Sequence, residues 1–242
     1  MTHSRGPLLH WSGRSDAREL LDAPVADLAE LRENLDDIYR LNRLIGATGR
    51  LIRRITELVA GVRDTVRVLD VGTGSADIPI ALVAWARRSG APIRVTAVDR
   101  SRQVAAVARE RVAGYPEIEV VEGDGCSLPF GAGSYHAATC SLTLHHLGTQ
   151  DGIRLLQNLD RVTRHGFVVS DLTRGALAYW STWLFIHALT RNRLTRHDGP
   201  LSVTRAYTVA ELRQLVEEAA IPATRVCREF PWKAIIVQDK RA

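Results

Sequence analysis

From Arg67 onward the chain alternates short β-branched runs with longer segments of helical pattern. Five such runs follow one another, in the order RVLDVG, IRVTAVD, IEVVEGD, YHAATCSL and GFVVSDL. Strands that alternate with helices indicate βαβ units and a parallel sheet. VRVLDV and VTAV are apolar almost throughout, as strands are when helices cover both faces of their sheet. The sequence therefore predicts an α/β fold with a doubly wound, mostly parallel sheet.

Two other regions flank this alternation. Residues 16–60 repeat leucine and isoleucine at helical spacing, which predicts two or three helices. After the fifth run, residues 172–208 depart from the pattern, and then a helix and two more strands follow. We expect residues 1–61 to form an N-terminal helical cap, and residues 62–242 to form the α/β domain. That domain would hold a helical lid insertion at about 173–207 and end in an antiparallel hairpin.

Composition excludes several classes of protein. Apolar residues make up 45% and charged residues 24%, which is ordinary for a soluble domain. The net charge of +5 comes from scattered arginines, so no run resembles a nucleic-acid-binding arm. The charge indicates a mildly basic surface, and affinity for an acidic small molecule or a membrane surface is an open alternative.

Cysteine usage and apolar segments bear on the compartment. Cys126, Cys140 and Cys227 are odd in number and show no CxxC spacing, which favours buried reduced thiols. The N-terminal 20 residues have no apolar core of signal-peptide length, and the apolar segment 176–189 is too short to span a bilayer. We expect a cytoplasmic monomer or homodimer without a membrane span.

The segment VLDVGTGSADIP contains a strand, a glycine turn and the start of a helix. Gly72 and Gly74 can adopt backbone angles that side chains disfavour, and they let a ligand approach closely. NAD enzymes use a similar turn, but here Asp77 replaces the third glycine of their motif. Asp70 also lies at the end of the strand, where a dinucleotide fold normally has apolar residues. The turn therefore favours a nucleotide-type cofactor other than NAD, and an NAD(P) oxidoreductase is the remaining rival.

Acidic residues also end the next two strands. Asp99 could accept hydrogen bonds from both hydroxyls of a ribose, and Asp124 could accept one from an adenine amino group. VLDVGTG, AVD and EGDGCSLPF, in this order, resemble the class I S-adenosylmethionine-dependent methyltransferases over about residues 62–172. That resemblance implies a seven-stranded sheet of order 3-2-1-4-5-7-6. It also implies S-adenosylmethionine as the cofactor, S-adenosylhomocysteine as the product, and no metal.

The same resemblance assigns the cofactor site. It implies as cofactor-binding residues Asp70, Gly72, Thr73, Gly74, Asp77, Asp99, Arg100, Asp124, Gly125, Cys126, Cys140 and Ser141. Within this set the glycine turn would lie under the methionine part, Asp99 would bind the ribose, and Cys140 would be near the amino-acid end. A role for Asp77 as a helix N-cap and a role for Asp124 in a turn are the alternatives.

Two histidines follow the fourth strand, in the segment TLHHL. That position is the carboxyl edge of the sheet, where open α/β folds bind ligands. Histidine suits proton removal at neutral pH, and Asp171, which ends the fifth strand, could orient His145. LHH followed 26 residues later by Asp resembles natural-product O-methyltransferases, which implies His145 as catalytic base and Asp171 as its partner. The alternative is that His145 only shapes the wall of the pocket.

The predicted lid holds most of the acceptor candidates. Aromatic residues concentrate between Tyr179 and His187, which indicates an apolar acceptor pocket or else a helix packed on the domain or on another subunit. The polar run 191–198 before Gly199-Pro200 is expected to be mostly a solvated loop. The predicted substrate-binding residues are His146, Tyr179, Trp180, Trp183, Arg196 and His197. RAYTVAEL resembles the corresponding segment of quinone-type and polyketide-modifying methyltransferases, which implies a hydrophobic acceptor.

The sequence thus predicts methyl transfer from S-adenosylmethionine to a hydrophobic small molecule that is aromatic, polyketide-like or quinone-like. O-methylation is favoured over C-methylation of a phenol or quinol, which needs no dedicated base. RNA methylation is disfavoured, because CSLTLHHL replaces the Asn/Asp-Pro-Pro-Tyr motif and no RNA-binding domain is evident. A non-catalytic protein that binds S-adenosylmethionine is the alternative from another class.

Overall fold

Seven strands form one sheet in a computed structural model that describes residues 13–241. The strands are β1 Val66–Val71, β2 Ile93–Asp99, β3 Ile118–Glu122, β4 Tyr135–Ser141, β5 Thr163–Leu172, β6 Thr224–Glu229 and β7 Lys233–Gln238. Their order is β3-β2-β1-β4-β5-β7-β6, with β7 antiparallel to both of its neighbours and every other pair parallel. The predicted sheet and hairpin are confirmed.

Eight α-helices surround the sheet in the described part of the chain. They are α1 Leu28–Leu44, α2 Ala47–Leu58, α3 Asp77–Ser89, α4 Arg102–Arg111, α5 Thr149–Val162, α6 Ala176–Leu189, α7 Arg193–Arg205 and α8 Val209–Glu218. Successive strand residues point to opposite faces, so Val68 packs with α2 and α3 whereas Leu69 packs with α5 and α8. Apolar layers on both faces explain why the strands read as continuous apolar runs.

The N-terminal region docks onto the insertion after β5 as well as onto the sheet. In α2, Leu51 and Ile55 are buried in the same core cluster as β1. Upstream of α1, the Asp198 carboxylate in α7 accepts the backbone N–H groups of Leu20 and Leu21 at 2.8 and 3.1 Å. The N-terminal helices and the insertion therefore hold each other in place. Residues 1–12 of the expected cap, and Ala242, lie outside the described residues.

The polar run after α6 is helical, so the expectation of a solvated loop is wrong. Asn192 caps α7 by accepting the backbone N–H of Thr195, and Leu194 and Val203 are fully buried. Gly199, which suggested a loop, lies within this helix and allows close packing. A Cβ at Gly199 would come within 2.0 Å of Ile186, so glycine lets α6 and α7 lie close together. Tertiary packing has overridden the local turn signal.

Two further expectations can be compared with the described residues. None of the helices in residues 13–241 is both long enough and apolar enough to cross a bilayer. All three cysteines are free thiols, but only Cys140 is fully buried. Cys227 is exposed on β6, an edge strand of the sheet, so the expectation that it is buried is wrong.

Candidate active site

A cavity of about 1010 Å³ opens at the carboxyl edge of the sheet. Its walls come from the ends of β1, β2, β4 and β5, from the start of β7, and from α1, α6 and α7. Pockets for a single small ligand usually measure roughly 300–1,000 Å³. The cavity therefore lies at the upper end of this range, and both the glycine turn and the insertion line it.

The glycine turn between β1 and α3 forms one end of the cavity, which we call the donor end. Gly72 and Gly74 both have positive φ, +70° and +54°, in the left-handed region that favours glycine. A Cβ on Gly72 would also lie 2.0 Å from the Thr143 hydroxyl. The turn therefore needs glycine at the first position both for its backbone angle and for its close approach to the segment after β4.

Asp99 at the end of β2 supports this turn and faces the cavity. Its Oδ2 accepts the Gly74 N–H at 3.0 Å, and its Oδ1 accepts the Ser101 N–H at 2.9 Å. The carboxyl group is 8% exposed, and burial raises its pKa. Each oxygen has a further lone pair and Asp99 lines the cavity, so the carboxylate could accept both hydroxyls of a ribose.

Asp70 lies beneath the turn instead of in the cavity wall. It is 1% exposed, and its Oδ2 accepts the hydroxyl of Thr73 at 2.7 Å, while burial raises its pKa to about 7. Its Oδ1 and the Thr139 hydroxyl on the paired strand have no hydrogen-bond partner within residues 13–241. Asp70 thus positions Thr73. Cys140, also assigned to the cofactor, is buried behind the wall as well.

The other predicted cofactor residues line the cavity. These are Thr73, Asp77, Arg100, Asp124, Gly125, Cys126 and Ser141. Asp77 is the first residue of α3, after an N-cap at Ala76, so its carboxylate lies in the first turn, where the helix dipole favours it. Asp124 accepts the Cys126 N–H at 2.8 Å and so caps a short turn while lining the cavity. Asp124 therefore does cap a turn, and its second carboxylate oxygen could still accept a hydrogen bond from a ligand.

His145 lines a second part of the cavity, which we call the acceptor end, and forms a buried pair with Asp171. His145 Nδ1 lies 2.7 Å from Asp171 Oδ1, and the His145 backbone N–H donates to Oδ2 at 2.9 Å. Burial raises the pKa of Asp171, but the charge and hydrogen bond of His145 outweigh burial, so the net shift is downward. An ionised Asp171 accepts the Nδ1 proton, which leaves a lone pair on Nε2, the ring nitrogen that lies 3.7 Å from Glu19 Oε1.

Glu19, which sequence reasoning missed, faces both histidines. Its Oε1 lies 3.7 Å from His145 Nε2 and its Oε2 lies 3.7 Å from His146 Nε2. Burial raises the pKa of Glu19 to about 7. Ser202 donates to this carboxylate at 2.9 Å, and Arg205 lies 3.5 Å from it. No local pattern marks Glu19, because its partners are more than 120 residues away along the chain.

Glu19, His145 and His146 also have the spacing of a metal site. One ligand atom from each lies within 4.8 Å of the others. However, the guanidinium group of Arg205 already supplies a cation to Glu19, and it also pairs with Asp22 at 2.5 Å. Asp22 in turn holds His146 Nδ1 at 2.9 Å. We therefore assign no metal to this group, and the expectation of no metal stays a prediction.

The insertion lines the cavity with a different face from the one expected. Ser181, Thr182, Phe185 and Ile186 of α6 line it, whereas five of the six predicted substrate residues do not. Those five are Tyr179, Trp180, Trp183, Arg196 and His197. Trp180 and Trp183 are 57% and 39% exposed on the outer side of the helix. Arg196 donates to the carbonyl groups of Thr190 and His187, so it caps the end of α6. Only His146 of the predicted set lines the cavity.

The sheet order, the glycine turn and the ribose-type carboxylate together define a class I S-adenosylmethionine-dependent methyltransferase fold. Residues 68–166 match the family model described as a methyltransferase domain. Residues 68–166 therefore form a methyltransferase domain, and the resemblance drawn from the sequence is confirmed.

Individual relatives and solved structures show in more detail what the chain is similar to. It is 30% identical over 139 residues to demethylmenaquinone methyltransferase of Staphylococcus aureus strain MRSA252, a match covering 57% of this chain and 56% of that protein. The chain thus spans little more than half the length of this curated relative. A SAM-dependent methyltransferase from Aquifex aeolicus has a TM-score of 0.62 at 21% identity, covering 88% of this chain and 98% of its own. Human N-acetylserotonin methyltransferase, solved with SAM, has a TM-score of 0.65 at 15% identity, covering 93% and 60%. At these identities the two structures show the fold alone.

Proposed function

We propose that the protein transfers the methyl group of S-adenosylmethionine to a hydroxyl group of a hydrophobic small molecule, aromatic, polyketide-like or quinone-like. The observation that carries this proposal is the His145–Asp171 pair beside a cavity of about 1010 Å³, in which Asp171 binds Nδ1 and His145 itself lines the cavity. In this assignment His145 is the base and Asp171 its partner. The cofactor residues are those that line the donor end, with Asp99 on the ribose.

The residues of the donor end fit the proposed cofactor. Asp99 offers two acceptor oxygens, and Gly72 and Gly74 remove side chains from the surface over which a ligand would lie. When bound, S-adenosylmethionine supplies an electrophilic methyl group on a positively charged sulfur. The chain needs only to align that group with the acceptor and to remove one proton.

The proton balance follows from the geometry of the acceptor end. As the oxygen–methyl bond forms and the sulfur–methyl bond breaks, the proton of the acceptor hydroxyl passes to His145 Nε2. Asp171 stabilises the resulting imidazolium through the bond to Nδ1, 2.7 Å long. The sulfur ends as a neutral thioether, so no metal or redox partner is required.

The shape of the acceptor end supports a hydrophobic acceptor. Leu41, Leu172, Phe185, Ile186 and Trp232 line the cavity and give it an apolar surface on which a hydrophobic ring system could pack. The relative named demethylmenaquinone methyltransferase supports a quinone-like molecule within this class. We propose that the cap at 1–61 and the insertion at about 173–207 enclose this acceptor. We also propose that the protein is a cytoplasmic monomer or homodimer and that it binds no nucleic acid.

The test uses labelled S-adenosylmethionine with a panel of phenols, quinols and aromatic polyketides, and mass spectrometry to locate the added methyl group. With an acceptor in hand, His145→Gln should lower kcat by roughly 10²–10⁴-fold, because general base catalysis contributes that much. The affinity for S-adenosylhomocysteine should stay unchanged, and activity should survive treatment with a chelator.

His146→Gln is the matched control, because its imidazole pairs with Asp22 instead of Asp171. It should lower kcat far less than His145→Gln. Near-native turnover of His145→Gln would show that the acceptor needs no base, as expected for C-methylation of an acidic phenol or quinol. Tight binding of S-adenosylmethionine without transfer to any acceptor would instead indicate a binding protein.

A further inference from the structure

A buried ammonium group lies in the cavity wall, on Lys233 at the start of β7. The side chain is 2% exposed and lines the cavity. Its Nζ has one hydrogen-bond partner within residues 13–241, Asn42 Oδ1 at 3.2 Å. No carboxylate oxygen of those residues lies within 4.0 Å of it. Lys233 is also one of only two lysines in the chain, the other being Lys240.

This arrangement leaves hydrogen-bonding capacity unused. An ammonium group has three donors, and only one of them is engaged. Asn42 also lines the cavity, and its amide nitrogen has no partner in the described part of the chain. A buried charge without a counter-ion is costly, and burial lowers the pKa of Lys233 to about 8. We therefore expect this buried ammonium group to interact with a ligand bound in the cavity.

The acidic residues nearest to Lys233 have other roles in the structure. Asp171 holds His145 and also accepts the backbone N–H of Leu172 at 2.7 Å. Asp77 begins α3, and Glu229 pairs with Arg50. These three raise the pKa of Lys233 only through longer-range attraction, because none lies within 4.0 Å. The described residues therefore supply no counter-ion in direct contact with Lys233.

The sheet places this ammonium group across the cavity from the proposed base. Lys233 pairs in register with Leu172, and Ala234 pairs with Asp171. Since neighbouring residues of a strand point to opposite faces, Lys233 lies on the α2 and α3 face while Asp171 lies on the α5 and α8 face. A ligand that reaches across the sheet edge would meet His145 on one side and Lys233 on the other.

We propose that Lys233 and Asn42 form a subsite for an anionic oxygen group of a bound ligand, of the carboxylate class. An ammonium and an amide N–H pointing at one carboxylate make charge-assisted hydrogen bonds. Two sources share this chemistry: the carboxylate of the methionine part of the donor, and an ionised carboxyl or phenol group of the acceptor. The second source rests on the proposed function, and the first requires only that the donor binds.

Calorimetric titration of two thioethers separates these sources without any turnover. S-Adenosylhomocysteine carries the carboxylate, and 5′-methylthioadenosine lacks the whole amino-acid part. If the donor supplies the anion, Lys233→Met should bind S-adenosylhomocysteine roughly 10–100-fold more weakly, as expected on losing a hydrogen bond to a charged group, and should bind methylthioadenosine unchanged.

If the acceptor supplies the anion, both thioethers should bind Lys233→Met as they bind the native chain. KM for an acidic acceptor should then rise about 10-fold or more with kcat little changed, and KM for its neutral methyl ester should stay constant. Lys240→Met is the matched control, because that lysine pairs with Asp160 instead of lining the cavity. It should match the native chain in every measurement.

Asn42→Asp provides a second variant in case Lys233→Met fails to fold. It would give the ammonium an internal carboxylate in place of the ligand, so it should produce the same loss of affinity or the same rise in KM. Unchanged thioether affinities together with unchanged KM for acidic acceptors in these variants would overturn the proposal. If no acceptor is ever methylated, the proposed function fails, but the titrations still decide whether the donor occupies this subsite.

Discussion

The two ends of the cavity are built in different ways. At the donor end, the hydrogen bond from Gly74 to Asp99 joins residues 25 positions apart, within one βαβ unit. At the acceptor end, the bond from Ser202 to Glu19 joins residues 183 positions apart. The donor end is therefore a local motif repeated at strand ends, whereas the acceptor end is assembled from four distant segments. Changes at one end should leave the other largely intact.

Replacing Asp99 should have the largest effect on the donor end. Asp99→Ala removes the carboxylate that we propose accepts two ribose hydroxyl groups, each hydrogen bond to a charged group being worth about 1.5–3 kcal/mol. We expect the affinity for S-adenosylhomocysteine to fall about 100–1,000-fold by calorimetry. Glu119→Ala, which removes an exposed carboxylate from neighbouring β3, should bind as the native chain does. An unchanged affinity of Asp99→Ala would refute the donor site.

The two glycines of the turn should differ when each becomes alanine. Gly74→Ala introduces only a side chain at positive φ, which costs about 1–2 kcal/mol. Gly72→Ala adds the clash with Thr143, so its free energy of unfolding should fall by about 2–4 kcal/mol. Chemical denaturation measures both. Equal losses would show that the contact with Thr143 does not constrain the turn.

Lys233→Met should raise the free energy of unfolding of the ligand-free chain, by about 1–3 kcal/mol at pH 7. The pKa of Lys233 is lowered from 10.5 to about 8, and each unit corresponds to about 1.4 kcal/mol. A lowered pKa means that the folded state holds the proton less tightly. The destabilisation of the folded chain by the buried ammonium group is therefore fully present below pH 8 and decreases as the pH rises toward 10.5.

Denaturation at several pH values tests this linkage. The stability advantage of Lys233→Met should shrink between pH 8 and pH 10.5. Lys240→Met, which alters a half-exposed surface pair, should change stability by less than about 1 kcal/mol. A Lys233→Met chain less stable than the native one at pH 7 would mean that the ammonium group supports the fold.

The smallest effect is expected where the insertion holds the N-terminal region. Asp198→Asn keeps one carbonyl acceptor for the amides of Leu20 and Leu21 and loses the other, which costs about 1 kcal/mol. Hydrogen exchange at these two amides should speed up, while the affinity for S-adenosylhomocysteine stays constant. A parallel loss of donor affinity would contradict the independence of the two ends.

Local patterns sufficed for several site residues at strand ends, although Asp70 and Cys140 lie behind the cavity wall. Gly72, Gly74 and Asp99 line the donor end, and His145 meets Asp171 at the acceptor end, because parallel strands bring their carboxyl ends to one edge. Of the aromatic residues of α6, Phe185 lines the cavity, whereas Tyr179, Trp180 and Trp183 do not. The helix is apolar all round, so its sequence carries no periodicity that distinguishes the inner face from the outer one.

Hydrophobic periodicity in the sequence determined the mostly parallel α/β sheet. The strand-end motifs, through their resemblance to a known family, implied the strand order, the class of cofactor and the histidine–aspartate pair. Only the tertiary structure decided that Glu19 faces the histidines, that Lys233 and Asn42 meet in the wall, and that residues 193–205 are helical. These features depend on how distant segments pack. A buried charge is selected by what surrounds it in space, and neighbours along the chain do not encode those surroundings.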